Sequence, residues 1–469
     1  MASKRDWESY SSTLCAREME TLVGWIRSGQ SGSVIGLPGT GKSNLLRFLC
    51  HRPDVVSQYL KGDSFELAVV QVDLNNLTGV DLATLYRVML RSLYEAGAQL
   101  TAIERSLFET VKALYRRVEE KTDPFLTQSA LREVLFAFRE RQARLVLVMD
   151  PFDQFGRTAS TQVLDNLRGL RDNFKYTLTY IIGLRHELAY IRDPVELGEL
   201  HEILDSHVCW MGPLAYEDAR YSIGQVEEAT GKSFGPEQVE RLMNLTGNYP
   251  AVLRAATLWL AETDPVPDVS AWEDRLLAEP GVYNRLNDVW QALTGEEQTV
   301  LSVLQMGVPI ESPRERRESL RQIEEKYKPT LARLQTKYLC CPDDAGWRLF
   351  SPLFARFIAG LEGMCAGKIR HDPKVDRFFR GDMEIAGLSD QDRRLLRHFL
   401  DHPLAVHTID DLIEAAWADY DSRGVSNEAV QQAIRHLRKQ IESNPARPAY
   451  LITAYGAGYR FFPEGAPQG

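Results

Sequence analysis

The sequence has little cysteine, no long apolar run and no excess of positive charge. Its six cysteines among 469 residues form no C-x-x-C pair, which argues against a disulfide framework and against a structural zinc site. No apolar stretch approaches the roughly 18 residues of a membrane span, and the charged start lacks the apolar core of a signal peptide. We therefore expect a cytoplasmic protein that does not contact a membrane.

The charge balance limits the classes of partner. The chain has 55 Lys and Arg residues against 65 Asp and Glu residues, so its formal net charge is −10. This excludes a polycationic coat protein for nucleic acid, although a single domain can still carry a basic face. The apolar fraction of 44% is too high for a disordered chain. At roughly 100–200 residues per domain, the length predicts three or four domains.

The first 207 residues alternate short apolar runs with helical patterns, which is typical of a parallel α/β sheet. Four runs lack polar alternation, as strands covered on both faces do, and they lie at residues 33–36, 67–73, 144–149 and 177–182. Later residues are mainly helical, and two short hairpin patterns follow. We predict domains over residues 1–207, 208–285, 286–366 and 367–469.

Residues 36–43 read GLPGTGKS and match the phosphate-binding pattern G-x-x-x-x-G-K-[ST]. They follow an apolar strand and open an apolar helix, which is the context that this motif needs. Glycines let backbone amides turn inward around an anion, Lys42 would reach the β- and γ-phosphates, and the Ser43 hydroxyl would bind Mg²⁺. We expect ATP or ADP to bind here through Gly36, Pro38, Gly39, Thr40, Gly41, Lys42, Ser43 and Asn44.

An acidic position follows a second buried strand. Residues 145–150 read LVLVMD, and the Asp150 carboxylate suits Mg²⁺ together with Ser43. Related ATPases often carry a glutamate next, but Pro151 stands there, so Asp153 is the candidate catalytic base; the alternative is that Asp153 caps a helix. Arg185 ends a later strand and is a candidate γ-phosphate sensor, or alternatively a surface arginine. We predict nucleotide binding with slow ATP hydrolysis.

Residues 13–260 resemble the STAND branch of the AAA+ ATPases, close to the origin-recognition initiator ATPases. The resemblance rests on four boxes, which read AREME at 16–20, DPFDQ at 150–154, MGPLAYEDA at 211–219 and LTGNYP at 245–250. Ala16 replaces the glycine of the first box. The resemblance implies that Arg17 and Pro250 contact the nucleotide. It also implies that ADP holds a closed state, which ATP opens.

Residues 286–366 resemble the winged-helix domain that follows the lid in STAND proteins, with a charged insert that begins at Glu311. The resemblance implies that this domain packs on the ATPase, and DNA contact is the alternative. The predicted fold class is therefore an α/β P-loop NTPase core with a helical lid, followed by two winged-helix domains.

The helix predicted over residues 427–441 has two stripes. The apolar stripe faces a core and consists of Val430, Ile434, Leu437 and Ile441. The polar stripe suits a helix in the major groove of DNA and consists of Gln431, Arg435 and Arg438, with Lys439 beside it. A hairpin with glycines at its turn follows at 450–462. The candidate N-caps in this domain are Ser389, Thr408 and Ser426.

Residues 373–463 resemble the effector domain of OmpR/PhoB-type response regulators. The matching stretches read VQQAIRHLRK at 430–439 and ITAYGAGYRF at 452–461. This family's wing usually carries a basic residue where Tyr455 stands. The candidate contacts to double-stranded DNA are Gln431, Arg435, Arg438, Lys439, Thr453, Tyr455 and Arg460. A solvated helix on a protein-docking module is the alternative.

Three functions fit these patterns. The first is a STAND-type transcription regulator whose ADP or ATP state controls DNA binding. The second is an ATPase that loads or remodels complexes on DNA, as initiator, transposition or phage-defence ATPases do, and the third is an ADP-holding scaffold that docks a protein. A nucleotide-dependent homo-oligomer and a protein activator are further partners of the first function.

Overall fold

The computed structural model describes the chain except at residues 1–6, 64, 122, 307–324, 326, 344–345, 366–367, 374–375, 381–382, 386, 418–424, 443–444, 446–447, 455–457, 464 and 466–469. The chain divides into two compact units. The first comprises residues 1–293 and 320–354, and the second comprises residues 294–319 and 355–469. The four domain boundaries expected from the sequence stay predictions.

A five-stranded parallel sheet forms the centre of the first unit, in the order β2-β3-β4-β1-β5. Its interior strands are buried along almost their whole length, which explains why they read as apolar runs. The strands are β1 (Gly32–Ile35), β2 (Leu67–Asp73), β3 (Arg144–Asp150), β4 (Leu178–Leu184) and β5 (Val208–Trp210). The predicted parallel α/β core is confirmed, and β5 is a strand that the periodicity did not indicate.

Helices cover both faces of this sheet, and several begin at an acidic or hydroxyl N-cap, such as Asp81, Asp123 and Ser160. Those of the core are α1 (Ala16–Ser28), α2 (Lys42–His51), α3 (Pro53–Tyr59), α4 (Leu82–Glu95), α5 (Gly97–Ile103), α6 (Arg105–Val118), α7 (Pro124–Glu140), α8 (Asp153–Thr158), α9 (Thr161–Asn173), α10 (Leu188–Ile191), α11 (Pro194–Leu197) and α12 (Glu199–Asp205). Those of the following helical layer are α13 (Tyr216–Thr230), α14 (Pro236–Thr246), α15 (Pro250–Glu262), α16 (Trp272–Ala278) and α17 (Pro280–Gln291).

A helix and a hairpin from the predicted first winged helix pack within the first unit. Helix α19 covers residues 327–336, and the hairpin consists of β6 (Cys340–Asp343) and β7 (Gly346–Leu349). Arg333 donates from Nη1 to the Tyr190 hydroxyl at 2.8 Å, and the Ser351 hydroxyl donates to the carbonyl of Leu245 at 2.7 Å. This segment therefore contacts both the core and the helical layer.

The described residues of the second unit form two small antiparallel sheets and several helices. Its elements are α18 (Gly295–Met306), α20 (Pro352–Cys365) from residue 355 onward, β8 (Ile369–Asp372), β9 (Arg377–Arg380), β10 (Met383–Glu384), α21 (Asp390–Asp401), β11 (Val406–His407), α22 (Ile409–Ala416), α23 (Asn427–Ile441), β12 (Leu451–Ala454) and β13 (Gly458–Phe461). Ser389, Thr408 and Ser426 cap α21, α22 and α23, as predicted. The β8–β10 sheet has no counterpart in the sequence analysis.

Buried polar bonds join α23 to strand β12. The Glu442 carboxylate follows the helix and accepts hydrogen bonds from the amides of Ala449, Tyr450 and Leu451 at 2.7, 2.9 and 2.8 Å. Its side chain is buried, and its two oxygens together accept these three hydrogen bonds. These hydrogen bonds therefore fix the position of helix α23 relative to the β12–β13 hairpin.

None of the helices in the described part of the chain has the length and apolarity that crossing a membrane requires.

Replacing Glu442 by Gln tests this connection. A glutamine offers one acceptor oxygen and turns an amide group toward a backbone N–H, so we expect the hairpin to lose about 1–3 kcal/mol of stability against local opening. Hydrogen exchange measures it, with faster exchange at residues 449–451. Glu428→Gln is the control, because Glu428 lies exposed on the first turn of the same helix. Equal exchange rates in both variants would contradict the assignment.

Candidate functional site

The phosphate-binding loop connects β1 to α2 and contains a tight turn. The amide of Thr40 donates to the carbonyl of Leu37 at 3.2 Å, so Pro38 and Gly39 are the central residues of that turn. Gly39 has φ +85°, as the third residue of a type II turn requires, and proline is favoured at the second position. Gly41 has φ +87° and directly precedes the helix. The two glycines therefore supply backbone angles that other residues rarely adopt.

Several backbone amides lie close together where the loop joins the start of α2. Within the part of the chain that the structure describes, the amides of Gly41, Lys42 and Ser43 have no acceptor, whereas those of Asn44 and Leu45 donate to the carbonyl of Gly41 at 2.8 and 3.0 Å. Free amides at a helix start, together with the helix dipole, attract anions. These residues therefore fit the phosphates of a nucleotide.

A buried ion pair lies beside the loop. Lys42 Nζ contacts Asp150 Oδ1, and both side chains are less than 10% exposed. The pair lies beside Gly183 of β4. A Cβ added at Gly183 would overlap Asp150 Oδ1 and would lie 2.8 Å from Lys42 Nζ. The structure thus brings two predicted residues together and adds Gly183, which sequence reasoning missed. The glycine inside an apolar strand was the available signal.

The Asp153 side chain contacts the backbone of Arg185. Asp153 Oδ1 accepts a hydrogen bond from the Arg185 amide at 2.8 Å, and Asp153 Oδ2 is buried without a partner among the described residues. Asp153 is the first residue of α8, whose N-cap is Phe152, so the alternative of a helix cap is wrong. The Arg185 side chain is exposed. The catalytic roles of both residues stay predictions.

The start of α15 lies against the loop. The Ala251 amide donates to the carbonyl of Gly39 at 3.1 Å, and the Tyr249 hydroxyl donates to the carbonyl of Pro38 at 2.8 Å. A Cβ on Gly41 would lie 3.9 Å from Pro250 Cγ. Pro250 opens the helix, as predicted, and it lies beside the loop. Tyr249 was not among the predicted site residues.

Arg17 lies at a cavity of about 600 Å³ between α1, the β5 edge and α19. Its guanidinium carbon is 5.8 Å from the centre of the Tyr338 ring, and Glu18 and Thr21 line the same space. The predicted nucleotide contact of Arg17 stays a prediction.

The exposed face of α23 carries three of the seven predicted DNA contacts. Gln431, Arg435 and Lys439 are exposed, whereas the apolar stripe is buried. Arg438 is half-buried and donates from Nε and Nη2 to the carbonyl of Leu451 at 2.9 and 2.7 Å. Burial lowers the pKa of Arg438 from its usual value. These hydrogen bonds show that Arg438 connects α23 to strand β12.

The hairpin carries the remaining candidates. Thr453 and Arg460 are exposed on β12 and β13, and the Thr453 hydroxyl accepts a hydrogen bond from Arg438 Nη2 at 2.9 Å. Tyr455 lies outside the described residues. Five of the seven candidates are therefore exposed, namely Gln431, Arg435, Lys439, Thr453 and Arg460. The DNA contacts of all seven, Arg438 and Tyr455 included, stay predictions.

Residues 384–461 match the family model for the C-terminal domain of transcriptional regulatory proteins. Transcriptional regulatory protein YvrH of Bacillus subtilis (strain 168) is 41% identical over 86 residues, which cover 18% of this chain and 35% of the relative. SphR of Synechococcus elongatus, an alkaline phosphatase synthesis regulator, is 41% identical over 88 residues, which cover 19% and 33%. The chain thus spans about a third of the length of these relatives. The predicted OmpR/PhoB-type domain is confirmed at the C-terminus.

Solved ATPase structures resemble a larger part of the chain. The Walker-type ATPase paby2304 of Pyrococcus abyssi has a TM-score of 0.46 and 14% identity, and the match covers 73% of this chain and 95% of that one. The ORC2 protein of Aeropyrum pernix has a TM-score of 0.38 and 12% identity, with coverage of 74% and 94%.

Gly183→Ala tests the space around the ion pair. We expect the added Cβ to displace Asp150 or Lys42 and to weaken the binding of a fluorescent ADP analogue roughly 10-fold or more. A fluorescence titration of the ADP analogue with protein, in the presence of Mg²⁺, measures this affinity. Gly169→Ala is the matched control, since an added Cβ on that residue of α9 meets no atom within 4 Å. Unchanged ADP affinity in Gly183→Ala would refute the steric account.

Separate alanine variants distinguish the two arginines of α23. Arg435→Ala should weaken DNA binding by about 1–3 kcal/mol if Arg435 contacts a base, with an unchanged melting temperature. Arg438→Ala should also lower the melting temperature, because three hydrogen bonds to β12 are lost. Fluorescence anisotropy with duplex DNA and thermal unfolding give the two values. Stability losses of the same size in both variants would disprove the distinction.

Proposed function

We propose that this protein is a STAND-type transcription regulator in which bound ADP or ATP controls DNA binding by the C-terminal domain. The observation that carries the proposal is the presence, in one chain, of a phosphate-binding loop with free helix-start amides and of a regulator-type effector domain. In this proposal the nucleotide takes the place of phosphorylation as the switch.

The first unit would hold the nucleotide through its own residues. The amides of Gly41, Lys42 and Ser43 would donate hydrogen bonds to the phosphate oxygens, and Lys42 would exchange its Asp150 partner for a phosphate oxygen. Ser43 and Asp150 would hold Mg²⁺, which supplies positive charge to neutralise the phosphates when it is bound. Hydrolysis would be slow, because Pro151 stands where related ATPases carry a glutamate and Asp153 is already bonded to the Arg185 amide.

The second unit would contact double-stranded DNA with α23 in the major groove. Arg435 and Lys439 supply positive charge on the exposed face, Gln431 supplies an amide that can read a base, and Arg460 extends the basic surface along the hairpin. Binding would depend on salt, since phosphate contacts release counterions. A nucleotide-dependent homo-oligomer is a further part of this proposal, and so is a protein activator.

Fluorescence anisotropy of duplex DNA from upstream of the protein's own gene tests the proposal. The protein is loaded with ADP or with a non-hydrolysable ATP analogue, at two salt concentrations. We expect affinity to differ between the nucleotides and to fall with salt, and the ratio of affinities gives the coupling free energy. Lys42→Ala should lose nucleotide binding and with it this difference.

The other outcomes select the other functions. Turnover stimulated by DNA would favour an ATPase that loads or remodels complexes on DNA. DNA that stays unbound in both nucleotide states would favour a protein-docking scaffold. Unchanged ATP affinity in Lys42→Ala would overturn the assignment of the nucleotide site.

A further inference from the structure

Tyr249 joins the phosphate-binding loop to the segment that follows the first hairpin. Its side chain is 2% exposed, and its hydroxyl donates to the carbonyl of Pro38 at 2.8 Å. Burial raises the pKa of this phenol above its usual value, so the hydroxyl keeps its proton and remains a donor. Its ring packs against Phe350, with 5.2 Å between ring centres.

The accepting carbonyl belongs to the central peptide of the loop's turn. Type I and type II turns differ by a flip of the peptide between their two central residues, here Pro38 and Gly39. In a planar trans peptide the carbonyl and the following amide point in opposite directions. A hydrogen bond from Tyr249 to the carbonyl of Pro38 therefore holds the type II form and turns the Gly39 amide away from the tyrosine. The second carbonyl, that of Gly39, is held by the Ala251 amide.

The other side of the ring depends on close packing with residues 350–354. Gly247 has φ +58°, and an added Cβ there would overlap the carbonyl of Phe350. The Ser351 hydroxyl is buried and donates to the carbonyl of Leu245 at 2.7 Å. Phe350 also packs against Phe354, with 5.1 Å between ring centres. Phe350, which packs against the Tyr249 ring, is therefore itself closely packed by its neighbours.

We propose that Tyr249 is a positioning residue that couples phosphate binding at the loop to the packing of Phe350 against the Tyr249 ring. A nucleotide that favours the type II turn strengthens the hydrogen bond from the Tyr249 hydroxyl to the carbonyl of Pro38. The Tyr249 ring is then held in place, and this favours the observed packing of Phe350 against it. Coupling works equally in both directions, so a displaced Phe350 weakens nucleotide binding. This inference rests on the proposed nucleotide binding and adds the residue that transmits it.

A double-mutant cycle in the full chain tests the coupling. The variants are Tyr249→Phe, which keeps the ring and loses the hydroxyl, Phe350→Leu, which loses the ring contact, and their combination. The probe is a fluorescent ADP analogue with Mg²⁺. We expect Tyr249→Phe to weaken binding roughly 2- to 10-fold, as loss of one hydrogen bond does, and Phe350→Leu to weaken it as well. The combined loss should be smaller than the product of the single losses.

Hydrogen exchange provides a readout that a purely structural role would not change. Adding ADP should slow exchange across residues 346–354 in the wild-type protein and in Tyr176→Phe, a control whose tyrosine is 80% exposed. The same addition should have little effect on that segment in Tyr249→Phe at saturating ADP. Thermal unfolding confirms that each variant is folded.

The outcomes separate this inference from the proposed function. Wild-type affinity in Tyr249→Phe, or single losses that multiply in the double variant, would overturn the coupling while leaving the nucleotide site intact. Absence of ADP binding by the wild-type protein would instead refute the proposed function.

Discussion

The ion pair between Lys42 and Asp150 depends on how the central sheet is ordered. The strands that carry the loop and the aspartate are not neighbours, because β4 lies between β1 and β3. The lysine side chain therefore has to pass β4, and Gly183 leaves the space for it. Removing two charges from water is costly, and close geometry has to offset that cost. In the proposed function, phosphate and Mg²⁺ would compensate each charge separately, so the pair would be exchanged rather than simply broken.

The loop itself is held from outside the core. Its turn uses glycines for their backbone angles, but the carbonyls on its outer side are bonded to residues at the start of α15. The segment after the β6–β7 hairpin packs on the same residues through Phe350. Tyr249 thus connects the loop to a segment of the first unit that lies about 100 residues further along the sequence. A switch requires such a connection, because a ligand can shift an equilibrium only through contacts that differ between the two states.

The basic residues of α23 differ in their environments, since Arg438 is hydrogen-bonded to β12 whereas Arg435 and Lys439 are exposed. Arg438 and Glu442 bond the helix to β12 from two sides of Leu451, one through its carbonyl and the other through its amide. This connection leaves Arg435 and Lys439 exposed on a helix that is held rigidly against the hairpin. Side chains on a rigid element meet DNA with a smaller loss of conformational entropy. Two arginines three residues apart on one helix thus have different environments.

Elements with strong local signals could be predicted from the amino-acid sequence. Apolar runs located four strands of the sheet, N-cap residues located three helices of the second unit, and the glycine-rich motif located the loop. Short or edge strands such as β5 and β8 to β10 were missed, since so few residues carry too little periodicity. Three contacts became visible only in the folded chain: Gly183 lies beside the ion pair, the Tyr249 hydroxyl donates to the loop, and Arg438 is hydrogen-bonded to β12. Each of these contacts joins residues that are separated in the chain. A local pattern, such as the glycine inside the apolar strand β4, can indicate a close approach but not the residue that makes it.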